Sequence, residues 1–411
     1  MHSRYDILGT PVDLHRAWTR DEIEAAIQAI LESRAASLPE RKDARIVIKP
    51  NLNNDLVALT GNCVDLRVLG ALIRGLQARG YTDLTVADGS NVGIDRRAID
   101  SFARLRVDAL CTLLGVRLVN INLDQGRPLV LHAGARPLVS STVLDKDFLI
   151  SVPKIKTHAE MQLTCAMKNW VGIVVGQDKR QVHYDLGRNI LALNEAVRPD
   201  LIIVDGLVGM EGNGPGDGDP FRLGVLLVCD DALINDLAVA RLVDMPWREV
   251  PYLAHAGAAG RVPPALEAAV AASVPVLRAM RPPPPRSLQA KLSEKRWLIW
   301  LKLAVRPLVN RPGVARLAYK LRITQDVYDR SDDTLRVEAR HAERCGECHK
   351  CVDFCPTGLS REQIGAETEP PACIQCLYCW FVCPHDAIRL RGEPHHLERQ
   401  VSRYGEAIRN L

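Results

Sequence analysis

Several familiar runs are missing from this chain. No stretch reaches the roughly 20 consecutive apolar residues that a membrane-spanning helix needs. The opening segment Met1-His2-Ser3-Arg4-Tyr5-Asp6 has no apolar core of the kind a secretory signal carries. A cytoplasmic protein is the expectation. The excess of base over acid is small, 53 Lys and Arg against 49 Asp and Glu, so no sequence-wide basic field argues for specific nucleic-acid binding. The spacings of a P-loop, a Rossmann dinucleotide fingerprint and a calcium loop are absent, and no flavin or nicotinamide signature stands in their place. Nor is there a solenoid-like repeat.

What is present suits a packed globular chain, with 47% hydrophobic and 25% charged residues. At 411 residues it exceeds one small domain, and two domains are expected. Between residues 45 and 243 short β-branched runs alternate with longer amphipathic stretches, the rhythm of an α/β domain with a mostly parallel sheet. The pattern predicts strands at 45–49, 84–88, 148–152, 201–205 and 225–229, and helices at 66–78 and 232–243. The run Pro282-Pro283-Pro284-Pro285 closes this domain, because proline lacks the amide donor that a helix or central strand needs.

The predicted organisation is an α/β domain over 1–280, a proline-rich basic segment over 281–337, a small α+β module over 338–392 and a charged tail over 393–411. Residues 286–322 hold ten Lys or Arg against Glu294 alone, with Trp297 and Trp300 among them. Two readings of that stretch stand. It is an amphipathic helix packed on the α/β domain, or a surface for peripheral membrane contact or an acidic partner.

Twelve cysteines would suggest disulfides in a short secreted chain, yet eight of them crowd into 345–383. Cys345, Cys348, Cys351 and Cys355-Pro356 follow C-x2-C-x2-C-x3-C-P, and Cys373, Cys376, Cys379 and Cys383-Pro384 repeat it. Three thiolates so spaced on one turning loop reach three irons of a cubane, and in two-cluster ferredoxins the fourth cysteine ligates the other cluster. Two 4Fe-4S clusters are therefore expected, one on Cys345, Cys348, Cys351 and Cys383, the other on Cys373, Cys376, Cys379 and Cys355. Zinc sites use four ligands in paired C-x2-C units, which eight ligands in two such runs do not fit. Residues 344–389 resemble bacterial two-cluster ferredoxins, which implies electron transfer at low potential with an electron donor or acceptor protein as partner. Of the other four cysteines, Cys111 and Cys229 lie in apolar runs and are expected to be buried, while Cys165 is a candidate reactive thiol.

The remaining chemistry sits where predicted strands end. Lys49-Pro50-Asn51, Asp88-Gly89-Ser90, Pro153-Lys154 and Asp205-Gly206 each follow a strand, and open α/β sheets bind ligands at those carboxyl ends. Convergent lysines would bind phosphate or carboxylate, and histidines would move protons. Lys154, Lys156, His158, Lys168 and His183 are the catalytic candidates, and Lys49, Asn51, Asp88, Asp205 and Glu211 the cofactor or ligand contacts, for an anionic small molecule. The glycine-rich stretch from Asp205 to Asp219 adds Glu211 and Asp217, oxygen ligands suited to a divalent cation such as Mg²⁺ or else parts of a plain hairpin.

As a set, Lys49-Pro50-Asn51, the block from Pro153 to His158, Ala166-Met167-Lys168-Asn169 with Gly172, and Asp205-Gly206 with Glu211-Gly212-Asn213-Gly214-Pro215 resemble the family called domain of unknown function 362. That resemblance spans roughly residues 47–245 and implies an α/β core with a ligand site. The expected function is an iron-sulfur oxidoreductase acting on an anionic small molecule. Two alternatives stay open: an electron-delivery or ligand-binding subunit without turnover, and a metal- or nucleotide-dependent transferase whose clusters are structural.

Overall fold

The structure, a computed structural model, describes residues 2–285 and 328–411. The basic tryptophan segment at 286–322 lies outside the described residues. Strands β1 (His2–Ile7), β2 (Thr10–Arg16), β3 (Ile46–Pro50), β4 (Leu84–Asp88) and β5 (Arg117–Asn120) are followed by a small ribbon, β6 (Gly126–Pro128) and β7 (Leu138–Ser140). Then come β8 (Phe148–Val152), β9 (Lys154–His158), β10 (Gln162–Thr164), β11 (Leu201–Glu211) and β12 (Asp219–Cys229).

Ten of these strands form one sheet in the order β1-β2-β12-β11-β8-β3-β4-β5, with β9 beside β11 and β10 beside β9. From β11 through β8, β3 and β4 to β5 every pairing is parallel. The other flank is antiparallel, because β1–β2 and β11–β12 are hairpins. The first of these turns on Leu8 and Gly9, both at positive φ (53° and 86°), the backbone that a two-residue hairpin requires.

Side chains alternate between the two sheet faces with a period of two along the central strands, and both sets are buried. Ile46 and Ile48 enter one apolar layer and Val47 the other; Leu226 and Val228 likewise oppose Val225 and Leu227. Both faces of the sheet are therefore covered. Helices α1 (Arg20–Ser33) and α2 (Leu66–Ala78) lie on one side, α3 (Leu186–Ala196) and α4 (Ala232–Leu242) on the other. Thr19 and Glu22 form a capping box at the start of α1, and the Asp65 side chain accepts from the Arg67 amide to start α2.

Two stretches differ from expectation. Pro153 cannot donate to the ladder, so the chain leaves β8 there and resumes as β9, making Lys154 to His158 a strand and not a turn. Similarly, β11 and β12 run through most of the glycine-rich stretch, which shortens the loop to residues 212–218.

In the C-terminal region β13 (Arg336–Arg340) and β14 (Ile388–Arg391) form an antiparallel ribbon around two helical turns, Lys350–Asp353 and Tyr378–Phe381. The expected tail carries helix α5 (His396–Arg409), whose Leu397, Tyr404 and Ile408 join the same apolar layer as α1 and α2. Gln400 ties it down further: its Oε1 accepts from Val57 N at 2.9 Å and its Nε2 donates to Asp55 O at 3.0 Å.

Arg67 is the centre of this docking. Its guanidinium donates to both Asp65 carboxylate oxygens (3.1 and 2.8 Å), to Trp18 O (2.7 Å) and to Asp353 O (3.3 Å), and lies 4.0 Å from the Phe354 ring centroid. Arg67 is wholly buried, and Asp65 is 1% exposed. Removing one member of such a pair leaves the other charge buried and uncompensated, a cost of roughly 3–5 kcal/mol. Arg67→Met is expected to lower the unfolding free energy by that amount and to expose residues 338–392 to protease. A loss under about 1 kcal/mol in urea titration, the range of exposed pairs, would contradict this account.

Candidate functional site

At the carboxyl ends of β3 and β4 lies a cavity of about 240 Å³. The strands deliver its first residues directly. Lys49 Nζ donates to Asp88 Oδ1 at 2.6 Å, to Asn169 Oδ1 at 2.9 Å and to Pro50 O at 2.8 Å, which uses all three of its hydrogens. Asp88 is equally committed: Oδ1 also accepts from Gly89 N at 2.8 Å and Oδ2 from Leu52 N at 2.6 Å. Burial lowers the Lys49 pKa and the Asp88 charge opposes that shift. Gly172 permits this packing, since a Cβ there would sit 2.4 Å from Asp88 Oδ1 and 2.7 Å from Lys49 Nζ.

Strand β9 supplies the next wall. Residues two apart share a face, so Lys154, Lys156 and His158 line up in sequence, and the last two reach the cavity. Lys156 Nζ donates to Asn51 Oδ1 (2.8 Å) and Asn62 O (2.7 Å), both neutral acceptors. Burial brings its pKa from the ordinary 10.5 to about 7. His158 Nδ1 accepts from the Glu160 and Met161 amides at 3.2 and 3.3 Å. Nδ1 therefore keeps its lone pair, and the neutral ring carries its proton on Nε2. His183, half-exposed at the rim, stands 3.5 Å from Glu160 Oε2.

Lys168 is the exception among the lysines. It is partly exposed to the cavity, and among the described residues its ammonium has no hydrogen-bonding partner and no ion pair within 4.0 Å. Burial lowers its pKa to about 8, against an opposing pull from Glu160. The turn that carries it, Ala166–Asn169, is held by Asp236. That fully buried carboxylate accepts from Ala166 N (2.8 Å), Met167 N (3.1 Å), Asn235 Nδ2 (3.0 Å) and Tyr252 OH (2.9 Å).

Two contributors were not singled out from the sequence. Lys179 donates to Asn122 Oδ1 and, at 2.6 Å, to Val174 O, and burial lowers its pKa to about 8. Nothing local marks it. Asp236 did leave a signal, since Asn235-Asp236 interrupts the apolar run of residues 232–240.

The structure places Lys154, Asp205 and Glu211 away from this cavity. Lys154 Nζ donates to Asp205 Oδ2 at 2.8 Å, with both side chains fully buried, and the same oxygen accepts from Asp65 N at 2.7 Å. Glu211 accepts from Arg278 Nη2 (2.9 Å) and Arg281 N (3.0 Å), while Asp217 and Asp219 pair with Arg403. The carboxylates of the expected cation site are thus neutralised by the protein itself. Among the described residues no three His, Cys, Asp or Glu come together as a single-ion site. Cys165 is fully buried, and burial followed by the Asp236 charge raises its thiol well above the ordinary value, which removes the thiolate a reactive cysteine needs. Cys111 and Cys229 are buried as expected.

The eight clustered cysteines, none of them in a disulfide, separate into two groups. Cys355, Cys373, Cys376 and Cys379 line one small cavity of about 40 Å³ together with Tyr378. The Cys351 thiol, raised to about 11 by burial, is raised further by its neighbours Cys345, Cys348 and Cys383. Cys345 Sγ also accepts from Arg340 Nη1 at 3.5 Å and Arg361 Nη2 at 3.3 Å. The first group lies against the α/β domain, where Leu66 N donates to Tyr378 OH at 3.4 Å.

Residues 46–241 match the family model described as Domain of unknown function (DUF362). The matched region holds the Lys49, Asp88, Lys156 and Lys168 cavity and stops short of the clustered cysteines. A thylakoid-associated protein of Synechocystis sp. is 32% identical over 136 residues, which is 31% of this chain and 42% of the relative, so less than half of that relative is spanned. Among solved structures, the lactate racemase apoprotein of Thermoanaerobacterium thermosaccharolyticum aligns at 10% identity over 48% of this chain and 50% of that one, with a TM-score of 0.33. A Thermotoga maritima protein aligns at 13% identity over 50% and 54% of the two chains, with a TM-score of 0.29.

The depressed lysines set a pH dependence. In the unfolded chain Lys156 and Lys168 bind protons up to the ordinary 10.5, whereas in the folded chain they release them near 7 and 8. Between about pH 8 and pH 10 the unfolded state holds more protons, so this contribution raises stability as pH rises, and the full penalty is present below about pH 7. Replacing both by Gln is expected to flatten the rise in unfolding free energy over that window. Parallel pH profiles for the wild type and the double variant, measured by denaturant titration, would refute the assignment.

Proposed function

We propose that the chain is an iron-sulfur electron-transfer protein, with one 4Fe-4S cluster held by Cys345, Cys348, Cys351 and Cys383 and a second by Cys373, Cys376, Cys379 and Cys355. In this reading electrons pass between an external donor or acceptor protein and an anionic small molecule bound in the α/β cavity, which makes the protein an oxidoreductase. The observation that carries it is the grouping of the eight thiols. Cys355 stands with Cys373, Cys376 and Cys379, and Cys383 stands with Cys351, each having crossed to the other run as cross-ligation requires.

The donor set fits the group. Burial and mutual repulsion raise the Cys351 and Cys379 thiols, so eight thiolates need nearby positive charge, which iron supplies. A cubane also spreads its ligands over four irons. When bound, the clusters supply one-electron transfer at low potential. The chain's own residues do the rest. Lys168 offers an anion an uncommitted ammonium, Lys156 and the His158 Nε2 position hold protons at the wall, and the Lys49–Asp88 pair fixes the floor.

Anaerobically purified protein is expected to carry about eight irons per chain. After reduction, Cys355→Ser and Cys383→Ser should each alter a different component of the paramagnetic resonance spectrum. Iron that stays near four per chain after reconstitution, or identical spectra from the two variants, would overturn the assignment.

A further inference from the structure

Among the described residues, the cavity lining carries more lysine than carboxylate charge. Lys49, Lys156, Lys168 and Lys179 line the cavity, and among the described residues Asp88 is the one carboxylate in that lining. Asp88 contacts Lys49 at 2.6 Å, which accounts for that charge. Among the described residues Lys156 and Lys179 donate only to amide and carbonyl oxygens, namely those of Asn51, Asn62, Asn122 and Val174. Lys168 meets no acceptor among the described residues. Among the described residues these three amines thus gather around one space with dipoles as their direct partners, while Asp88, Asp95 and Glu160 act on them without an ion pair within 4.0 Å. Neutral acceptors orient an ammonium without offsetting its desolvation, so a full set of charges at these amines requires a counterion from outside.

We propose that the cavity takes an oxyanion bearing at least two negative charges, a tetrahedral oxyanion or a dicarboxylate, and that the protein takes up protons as it binds. This rests on reading the cavity as an anion site and adds the charge class and the proton linkage. The charged groups acting on the three amines favour that direction or are already engaged, and His158 on the same wall has its Nδ1 engaged by the Glu160 and Met161 amides. Lys156 faces the Cys63 thiol, Lys168, Asp88 and Lys154, and burial keeps the Cys63 thiol neutral by raising it to about 11. Lys168 faces Glu160, which is shared with His183. Lys179 faces Asp88, Asp95 and Lys49. Asp88 is held by Lys49, and Gln177 Nε2 donates to Asp95. A dianion entering this ring restores the charged form of amines that burial has brought to about 7 and 8.

Titration calorimetry on the iron-loaded full chain at about pH 8 tests this, with sulfate and succinate as dianionic probes and acetate as a monoanion. Sulfate and succinate carry no titratable proton there, so uptake read from two buffers of different ionisation enthalpy belongs to the protein. The expected result is binding of at least one dianion well above acetate, with net proton uptake and weaker affinity as pH rises. The arm that binds identifies tetrahedral or carboxylate recognition. Lys168→Gln should weaken that affinity roughly tenfold to a hundredfold, and Lys168→Arg should restore most of it. Circular dichroism confirms that both variants are folded. Acetate binding as tightly as the dianions, zero or negative proton uptake, or an unchanged Lys168→Gln affinity would each overturn the proposal. If neither dianion binds a chain with its full iron, this inference falls while the electron-transfer reading survives; dianion binding to a chain that never takes up iron does the reverse.

Discussion

A buried row of two linked ion pairs organises this molecule. Arg67 grips Asp65, the Asp65 amide donates to Asp205, and Asp205 accepts from Lys154, all four side chains at or below 1% exposure. The row cancels within itself, which makes burial tolerable, and it joins four parts of the chain. Asp65 starts α2, Lys154 starts β9, Asp205 lies in β11, and Arg67 reaches the C-terminal module through Asp353 O and the Phe354 ring. The position of the β9 lysines and the seating of the cysteine-rich module therefore depend on the same set of ion pairs.

The row also explains why two lysines of one motif differ. Lys154 and Lys156 share a face of β9, but only Lys154 meets a carboxylate. Lys156, one pleat further on, meets an amide and a carbonyl oxygen, and its pKa falls toward neutrality. Scaffold and site are separated by compensation: charges that the fold balances hold elements together, and those left unbalanced face the cavity. Asp236 supports the second class indirectly. It fixes the turn that carries Lys168 while taking no part in the cavity.

The module is placed asymmetrically. Cys376 and Cys379 lie in the part pressed against the α/β domain, next to Tyr378, with Cys376 within the field of Asp65, whereas Cys345 meets Arg340 and Arg361 of its own module. Helix α5 completes that seating by burying Leu397, Tyr404 and Ile408 in the core layer that α1 and α2 already share.

Much was legible along the chain. The predicted strands at 84–88 and 148–152 and the helix at 66–78 match the observed bounds, because their apolar patterns are local and both sheet faces are buried. Three things were decided only by the tertiary structure. The antiparallel flank depends on hairpin pairing that strand content does not encode, so the glycine-rich stretch read as a loop is mostly ladder. The C-terminal helix docks through partners more than 300 residues away. The division of Lys154 from Lys156 and of Asp205 from Asp88 depends on which opposite charge each side chain meets. A charged residue looks the same in sequence whether it is cancelled or not; only the folded chain brings its counterion or leaves it without one.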